Sequence, residues 1–212
     1  MTGTEAITAK KLIGMLYPPV SSMSGIALFI IAGSRFSYAI VAVCSLFWVF
    51  LLGTFANAML RGVSSKTGRK LLNVMFASSA GSLYYLFLYL LNPLLAMETV
   101  LICALSPVFF MASGLSAAPE NPHEEETIKK AARYPLSLGI VTLVFSLLRE
   151  PLGFATLSVP GGKRGIIELF NSAGQYPYAV QLVSSSTGAL FLLAYLMVAL
   201  RYMANSDSRL RP

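Results

Sequence analysis

Charged residues are scarce in this chain. Only 12% of its 212 residues are charged, and 9 are acidic, whereas soluble domains carry about 25% charged residues. Hydrophobic residues make up 56%. A soluble protein of this size cannot hide so much apolar surface, so the composition excludes an ordinary soluble domain and favours a membrane protein with several spans.

Residues that bind metals or carry out catalysis are equally few. The chain has one histidine and two cysteines, Cys44 and Cys103, and both cysteines fall inside apolar runs without CxxC spacing. We interpret them as small buried hydrophobic residues. The glycine-rich run at 161–165 lacks the spacing of a phosphate loop. We find no catalytic set, zinc motif or nucleotide fingerprint, and therefore expect no catalytic residues and no metal site.

Hydrophobic segments divide the chain into six candidate spans. Residues 1–19 contain no apolar stretch followed by a cleavage site, so we expect no cleavable signal peptide. A straight span needs about 20 residues, so the first and fifth segments are short. The six segments are residues 20–34, 36–60, 71–91, 94–116, 134–148 and 176–200.

Basic residues predict the orientation. The N-terminus, the second and fourth loops and the C-terminus together carry twelve Lys and Arg, while the opposite side carries four: Arg35, Arg149, Lys163 and Arg164. The net charge of +7 therefore indicates lipid anchoring and no nucleic-acid partner. We expect a multi-pass protein of the inner (cytoplasmic) membrane with both termini in the cytoplasm.

The chain splits near Asn92 and Pro93 into halves of three spans, approximately residues 12–91 and 92–203. An odd number of spans in each half predicts an inverted repeat within a single membrane domain covering residues 1–212. Each half opens with an interrupted segment, one around Ser24 and one at Cys103–Pro107, followed by Met111–Gly114. Such matched interruptions indicate a central site, although ordinary packing kinks are the alternative interpretation.

Three ionisable residues are candidates for an ion path or a structural role. Glu98 lies near the start of the fourth segment, where it either binds a cation or proton or is merely solvated at the interface. Arg149 and Glu150 end the fifth segment. Because adjacent residues do not face each other on a helix, we expect their partners elsewhere, and we favour a structural role. Ser24 and Pro107, in the interrupted segments, complete this set of candidates.

Residues 148–157, which read LREPLGFATL, resemble the Arg-Glu signature after the fifth span of Rnf/Nqr membrane subunits. Residues 57–61, reading NAMLR, and the six-span plan are weaker matches. The resemblance is to the RnfE/NqrD-type and RnfA/NqrE-type subunits of ion-translocating electron-transport complexes. It implies two inverted three-helix halves, each opened by a half-helix, in an all-α fold. It also implies a partner subunit of related fold and opposite topology.

The resemblance further implies an iron–sulfur centre shared between two subunits, with a cysteine on each half-helix. This chain departs from that pattern: residues 20–29 contain no cysteine, and Cys103 lies about one turn or more from the matching position near residues 107–109. We therefore expect a divergent member with no bound cofactor, in which Cys103 is the one residual candidate ligand. It would act as a scaffold or ion-path subunit, and at most as a non-catalytic or electron-transfer part of an oxidoreductase. The alternative function is the substrate-binding membrane component of a small-molecule uptake transporter.

Overall fold

The computed structural model describes residues 23–60, 65–113, 124–161, 165–171 and 181–206, and these residues are mostly helical. The first half of the chain contains α1 (Met23–Ala32), α2 (Phe36–Met59) and α3 (Lys66–Leu91). The second contains α4 (Pro93–Glu98), α5 (Val100–Ala112), α6 (Glu124–Phe154), α7 (Gln181–Ser184) and α8 (Ser186–Ser206). Between α6 and α7, β1 (Thr156–Pro160) and β2 (Ile166–Asn171) pair as an antiparallel hairpin.

Three helices are long and apolar enough to cross a membrane: Phe36–Met59, Thr67–Leu91 and Tyr134–Phe154. The segments Val100–Ala112 and Ser186–Ala199 are apolar but shorter. Large apolar side chains cover the outer faces of the helices, with Leu90 80% and Tyr195 74% exposed. Such a surface is stable where lipid is the solvent. The membrane class predicted from composition is therefore supported, for these helices, by the structure.

The core forms around α2, which packs against α3, α5 and α6. Phe50 of α2 meets Phe110 of α5 edge-on, with ring centroids 5.2 Å apart. Phe29 of α1 meets Phe145 of α6 in the same way at 6.1 Å. Small residues permit this closeness: a Cβ atom at Gly53 would lie 2.6 Å from the Phe110 ring. Edge-on aromatic contacts and close approach at glycine therefore hold these helices together.

The hairpin lies at the end of the bundle where α2 begins. The Ser37 amide donates to Ser158 Oγ of β1 at 3.4 Å. Asn92, between α3 and α4, donates from Nδ2 to the carbonyl of Gly165 at 2.8 Å. The start of α2, the end of α3 and the hairpin therefore share one end of the molecule. The sequence predicts an all-α fold, and this two-stranded hairpin corrects that prediction.

Helix α6 differs most from its predicted bounds. The prediction places the fifth segment at residues 134–148, whereas α6 runs from Glu124 to Phe154. Near the C-terminus of α6, the charged side chains of Arg149 and Glu150 form hydrogen bonds within the protein. Because these charges are satisfied there, the helix can continue past them to Phe154.

Helix breaks also fall at positions that differ from those predicted. The fourth segment divides at Thr99, and α5 continues through Pro107, where the prediction places an interruption. The sixth segment breaks at Ser185, between α7 and α8. Proline removes only one hydrogen bond from a helix, and the hydroxyl of Ser106 bonds the nearby Ile102 carbonyl. Residues 18–22, Gly114 and the loop at 119–123 lie outside the described residues.

Candidate functional site

Arg149 is the largest side chain buried in the described core, with 2% of its surface exposed. All three guanidinium nitrogens donate to backbone carbonyls. Nη1 reaches Ile30 at 3.2 Å and Nε reaches Val183 at 3.1 Å. Nη2 reaches Ser184 at 3.0 Å and Ser185 at 3.2 Å. The guanidinium thus satisfies four carbonyls that come from two separate stretches of chain.

Three of these carbonyls lie at helix C-termini, whereas the Ser185 carbonyl also accepts from the Ala189 amide at the start of α8, at 3.1 Å. Ile30 lies in the last turn of α1, while Val183 and Ser184 end α7 just before the break at Ser185. The last carbonyls of a helix have no intrahelical donor and carry partial negative charge. Arginine suits them because its planar fork presents five N–H donors in fixed directions. Arg149 therefore caps two helix ends that are far apart in sequence.

Glu150 interacts with the N-terminus of a helix, whereas Arg149 interacts with helix C-termini. It is fully buried. Its Oε2 accepts from the Phe36 amide at 2.7 Å, and its Oε1 accepts from the Thr156 hydroxyl at 3.4 Å. Phe36 begins α2, whose N-cap residue, Arg35, provides no side-chain cap. Carboxylates are favourable at the positive end of a helix, so Glu150 acts as the missing cap from another element.

Local backbone geometry brings these groups together. A Cβ atom at Gly153 would lie 3.0 Å from the Ser184 amide, so glycine allows α6 to approach the α7 break closely. Ala155 then adopts a left-handed conformation with φ 51°. Its amide donates to the Pro151 carbonyl at 3.1 Å, which ends α6 and turns the chain into β1. This turn leaves Thr156 within reach of Glu150.

Glu98 lies at the same end of the bundle but in different surroundings. It is exposed at the end of α4, and its Oε2 accepts from the Tyr38 hydroxyl at 2.8 Å. Tyr38 belongs to the first turn of α2, the turn that Glu150 caps. Beyond Glu98, the Thr99 hydroxyl donates to the Leu95 carbonyl at 2.8 Å at the α4–α5 break. Glu98 and Glu150 thus both contact the start of α2.

Cys103 and Pro107 lie elsewhere, on the wall of a groove between α3 and α5. The groove has a volume of about 580 Å³ and is open on one side. Its walls are mostly apolar, with Ser78, Ser82 and Tyr85 contributing hydroxyls. A Cβ atom at Gly81 would lie 2.7 Å from the Pro107 ring, so the two helices touch at its floor. The groove is separate from the Arg149 and Glu150 contacts.

Neither cysteine forms a disulfide: Cys103 is buried, whereas Cys44 is exposed on the outer surface. The prediction that Cys44 is buried is therefore wrong. Lipid accounts for the difference, because an apolar side chain in a span faces either the core or the bilayer at little cost. Among the described residues, no three His, Cys, Asp or Glu side chains group in a way that suits a metal ion.

The structure brings Glu98, Arg149 and Glu150 to one end of the molecule and places Cys103 and Pro107 on the groove. Ser24 belongs to α1, but its side chain is outside the described part. Sequence reasoning missed Tyr38, Thr156 and the Phe36 amide. One signal was available: Arg35 is a poor N-cap before an apolar run, which leaves the first amides of α2 in need of an acceptor.

The arrangement holds interrupted helix ends together inside apolar surroundings, and the Arg149 and Glu150 contacts are its defining feature. Comparison with known proteins adds no relative, since no protein-family model and no curated protein matches this chain.

Proposed function

We propose that this protein is an integral membrane subunit of an ion-translocating electron-transport complex of the Rnf/Nqr kind. The observation that carries the proposal is the buried Arg149–Glu150 pair. It joins the end of α1, the start of α2 and the break before α8. Charged residues inside a membrane protein are costly, and they persist where they have a specific task. Here that task is to hold discontinuous helices in a fixed arrangement.

The proposed topology has six membrane crossings in two inverted halves. Short α1 followed by α2 and α3 makes up the first half, and interrupted α4–α5 followed by α6 and α8 makes up the second. Each half would open with a helix too short, or too broken, to span the bilayer straight. Interrupted helices at corresponding places are typical of inverted-repeat membrane proteins. Both termini would face the cytoplasm.

The proposed role is that of a scaffold or ion-path subunit without its own cofactor. Neither cysteine lies in α1, and Cys103 lines the groove between α3 and α5. The partner would be a related subunit of opposite topology in the inner membrane. An uptake-transporter component would instead need Glu98 and the helix breaks in one pocket. The groove between α3 and α5 is lined by Cys103 and Pro107 but not by Glu98 or by the observed breaks at Thr99 and Ser185, so we do not favour that function.

Purification of the intact complex from native membranes tests this proposal. A tagged chain should copurify with further membrane subunits and with flavin absorbance, because electron transport requires redox carriers in companion subunits. Identification of the partners by mass spectrometry should reveal a second polytopic subunit of similar size. Copurification with a pair of ATPase subunits, and without flavin, would contradict the proposal.

Arg149→Ala provides the matched variant, with Arg35→Ala as its control at the same end of the bundle. Loss of the Arg149 caps should reduce assembly with the partner subunits. Loss of the partly buried Arg35 side chain, which makes no cap on α2, should change assembly little. Iron analysis belongs in the same experiment: stoichiometric iron that depends on Cys103 would overturn the proposed loss of the cluster.

A further inference from the structure

The hairpin of β1 and β2 turns a polar face toward the helix bundle. Ser158 is 1% exposed, and its hydroxyl donates to Ser37 Oγ of α2 at 3.2 Å. The Thr156 hydroxyl, on the same face, bonds the carboxylate that caps α2. Side chains alternate along a strand, so Leu157 and Val159 point away from the bundle. A hairpin packed on a core beside water usually has its polar residues outside, and this one has the reverse pattern.

The outward face is apolar on both strands. Val159 pairs with Ile167, and residues paired across two strands share a face. Ile167 is 46% exposed, and Leu169, which the shifted register leaves unpaired, is 66% exposed. We propose that this outward face, formed by Leu157, Val159 and Ile167, contacts lipid at the boundary between headgroups and acyl chains. The inference requires only that the bundle lies in a bilayer and does not depend on electron transport.

The length of α3 places the hairpin at that depth. Its uncharged run, residues 71–91, spans about 30 Å at about 1.5 Å per residue, which equals the thickness of the hydrocarbon core. The end of α3 therefore lies at the membrane boundary. The next residue, Asn92, donates to the Gly165 carbonyl at 2.8 Å. A Cβ atom at Gly165 would lie 3.4 Å from Leu94, so the hairpin packs directly on the start of α4.

The open edges of the sheet and its apolar face together fit the boundary region better than water or the hydrocarbon core. In the described part of the chain the sheet has two strands, so each strand has an edge without a neighbour. Open sheet edges are not tolerated in hydrocarbon, whereas water would leave the apolar face uncovered. Leu91 and Leu94, beside the hairpin, are 54% and 56% exposed and continue the same apolar surface. Headgroups and water can reach the sheet edges while acyl chains cover this face.

The reaction rates of introduced thiols test the lipid contact. The full chain, with Cys44→Ser and Cys103→Ser, is reconstituted in phosphatidylcholine nanodiscs and treated with a charged maleimide. Ile167→Cys should react about tenfold more slowly than Glu168→Cys, because an apolar face at this boundary is buried below the headgroups. After unfolding in sodium dodecyl sulfate, both thiols should react at the same rate. Equal rates in nanodiscs would place the face in water and overturn the proposal.

Fluorescence quenching distinguishes lipid from a protein cover. An environment-sensitive dye is attached to Ile167→Cys in detergent, and the protein is then reconstituted at one copy per disc. A nitroxide at the fifth acyl carbon should quench this dye more than a nitroxide at the twelfth. The matched control is Leu83→Cys, in the middle of α3 and 55% exposed, which should show the reverse order. A slowly reacting Ile167→Cys without quenching by either lipid would mean that protein covers the face, which would also overturn the proposal.

Discussion

At the scale of single residues, Arg149 and Glu150 stabilise opposite ends of helices. The guanidinium faces the negative ends of α1 and α7, while the carboxylate faces the positive end of α2. Neither side chain needs the other as a direct partner, which agrees with the expectation drawn from their adjacent positions. Both charges are buried, and because they are opposite in sign the local net charge stays near zero. Removing one member leaves the other uncompensated.

Glu150→Gln and Glu150→Ala separate the two contributions of the carboxylate. Glutamine keeps an oxygen for the Phe36 amide but removes the negative charge beside Arg149, so we expect a loss of about 2 kcal/mol in unfolding free energy. Alanine also leaves the Phe36 amide without its acceptor, which should cost about 1 kcal/mol more. Unfolding in detergent measures the unfolding free energy of both variants. Equal stability of the two would show that the cap on α2 contributes nothing.

At the scale of elements, Asn92 connects the turn between α3 and α4 to the hairpin. Its Oδ1 accepts from the Leu95 amide at 3.0 Å and caps α4. Its Nδ2 donates to the Gly165 carbonyl at 2.8 Å. The side chain is 3% exposed, so water cannot replace either bond easily. A single amide thus starts one helix and holds the hairpin against the bundle.

Asn92→Ser and Asn92→Ala distinguish these two bonds. Serine is a good N-cap but is too short to reach Gly165, so the variant should lose about 1 kcal/mol and release the hairpin. Alanine loses both bonds, and we expect about 1 kcal/mol of further destabilisation. Limited proteolysis near residues 161–165 reports the hairpin, and thermal unfolding reports the cap. A hairpin as resistant in Asn92→Ser as in the original protein would refute the anchoring role.

At the scale of the whole molecule, the described helices expose many large apolar side chains and bury several polar ones between them. Ser45 and Ser106 bond to each other at 2.8 Å between α2 and α5, and the Asn73 amide donates to Asn57 Oδ1 at 3.0 Å between α3 and α2. In a bilayer such bonds join helices, because lipid offers polar groups no partner. Glu168 of the hairpin and Thr67 at the start of α3 lie at opposite ends of the bundle.

Cysteine labelling tests the proposed orientation in cells. In a background with Cys44→Ser and Cys103→Ser, an impermeant maleimide should label Glu168→Cys from outside. Thr67→Cys should react only after the membrane is opened, because the basic residues near the start of α3 favour the cytoplasmic side. Both positions are exposed in the structure, so failure to react cannot result from burial. Labelling of Thr67→Cys in intact cells would reverse the orientation.

The Arg-Glu pair, the turn after it and the need for partners elsewhere could be recognised from the sequence, because ionisable residues in apolar runs are rare. The identity of those partners could not. Backbone carbonyls at Val183 and Ser184 have no sequence signature, and they lie 34 and 35 residues from Arg149 along the chain. The interruption predicted at Pro107 is absent for a related reason, since α5 continues through this residue. A proline marks a missing hydrogen bond, but neighbouring groups decide whether the helix breaks there.

Composition by itself determined that this chain belongs in a membrane, since low charge and long apolar runs need no tertiary information. Spacing along the chain also identified most helices, because apolar length is a local property. Only the tertiary structure decided where the helices break and what the buried charges do. Helix ends carry unsatisfied backbone groups whose partners come from distant segments, and Arg149 meets those of α1 and α7 only after the chain has folded.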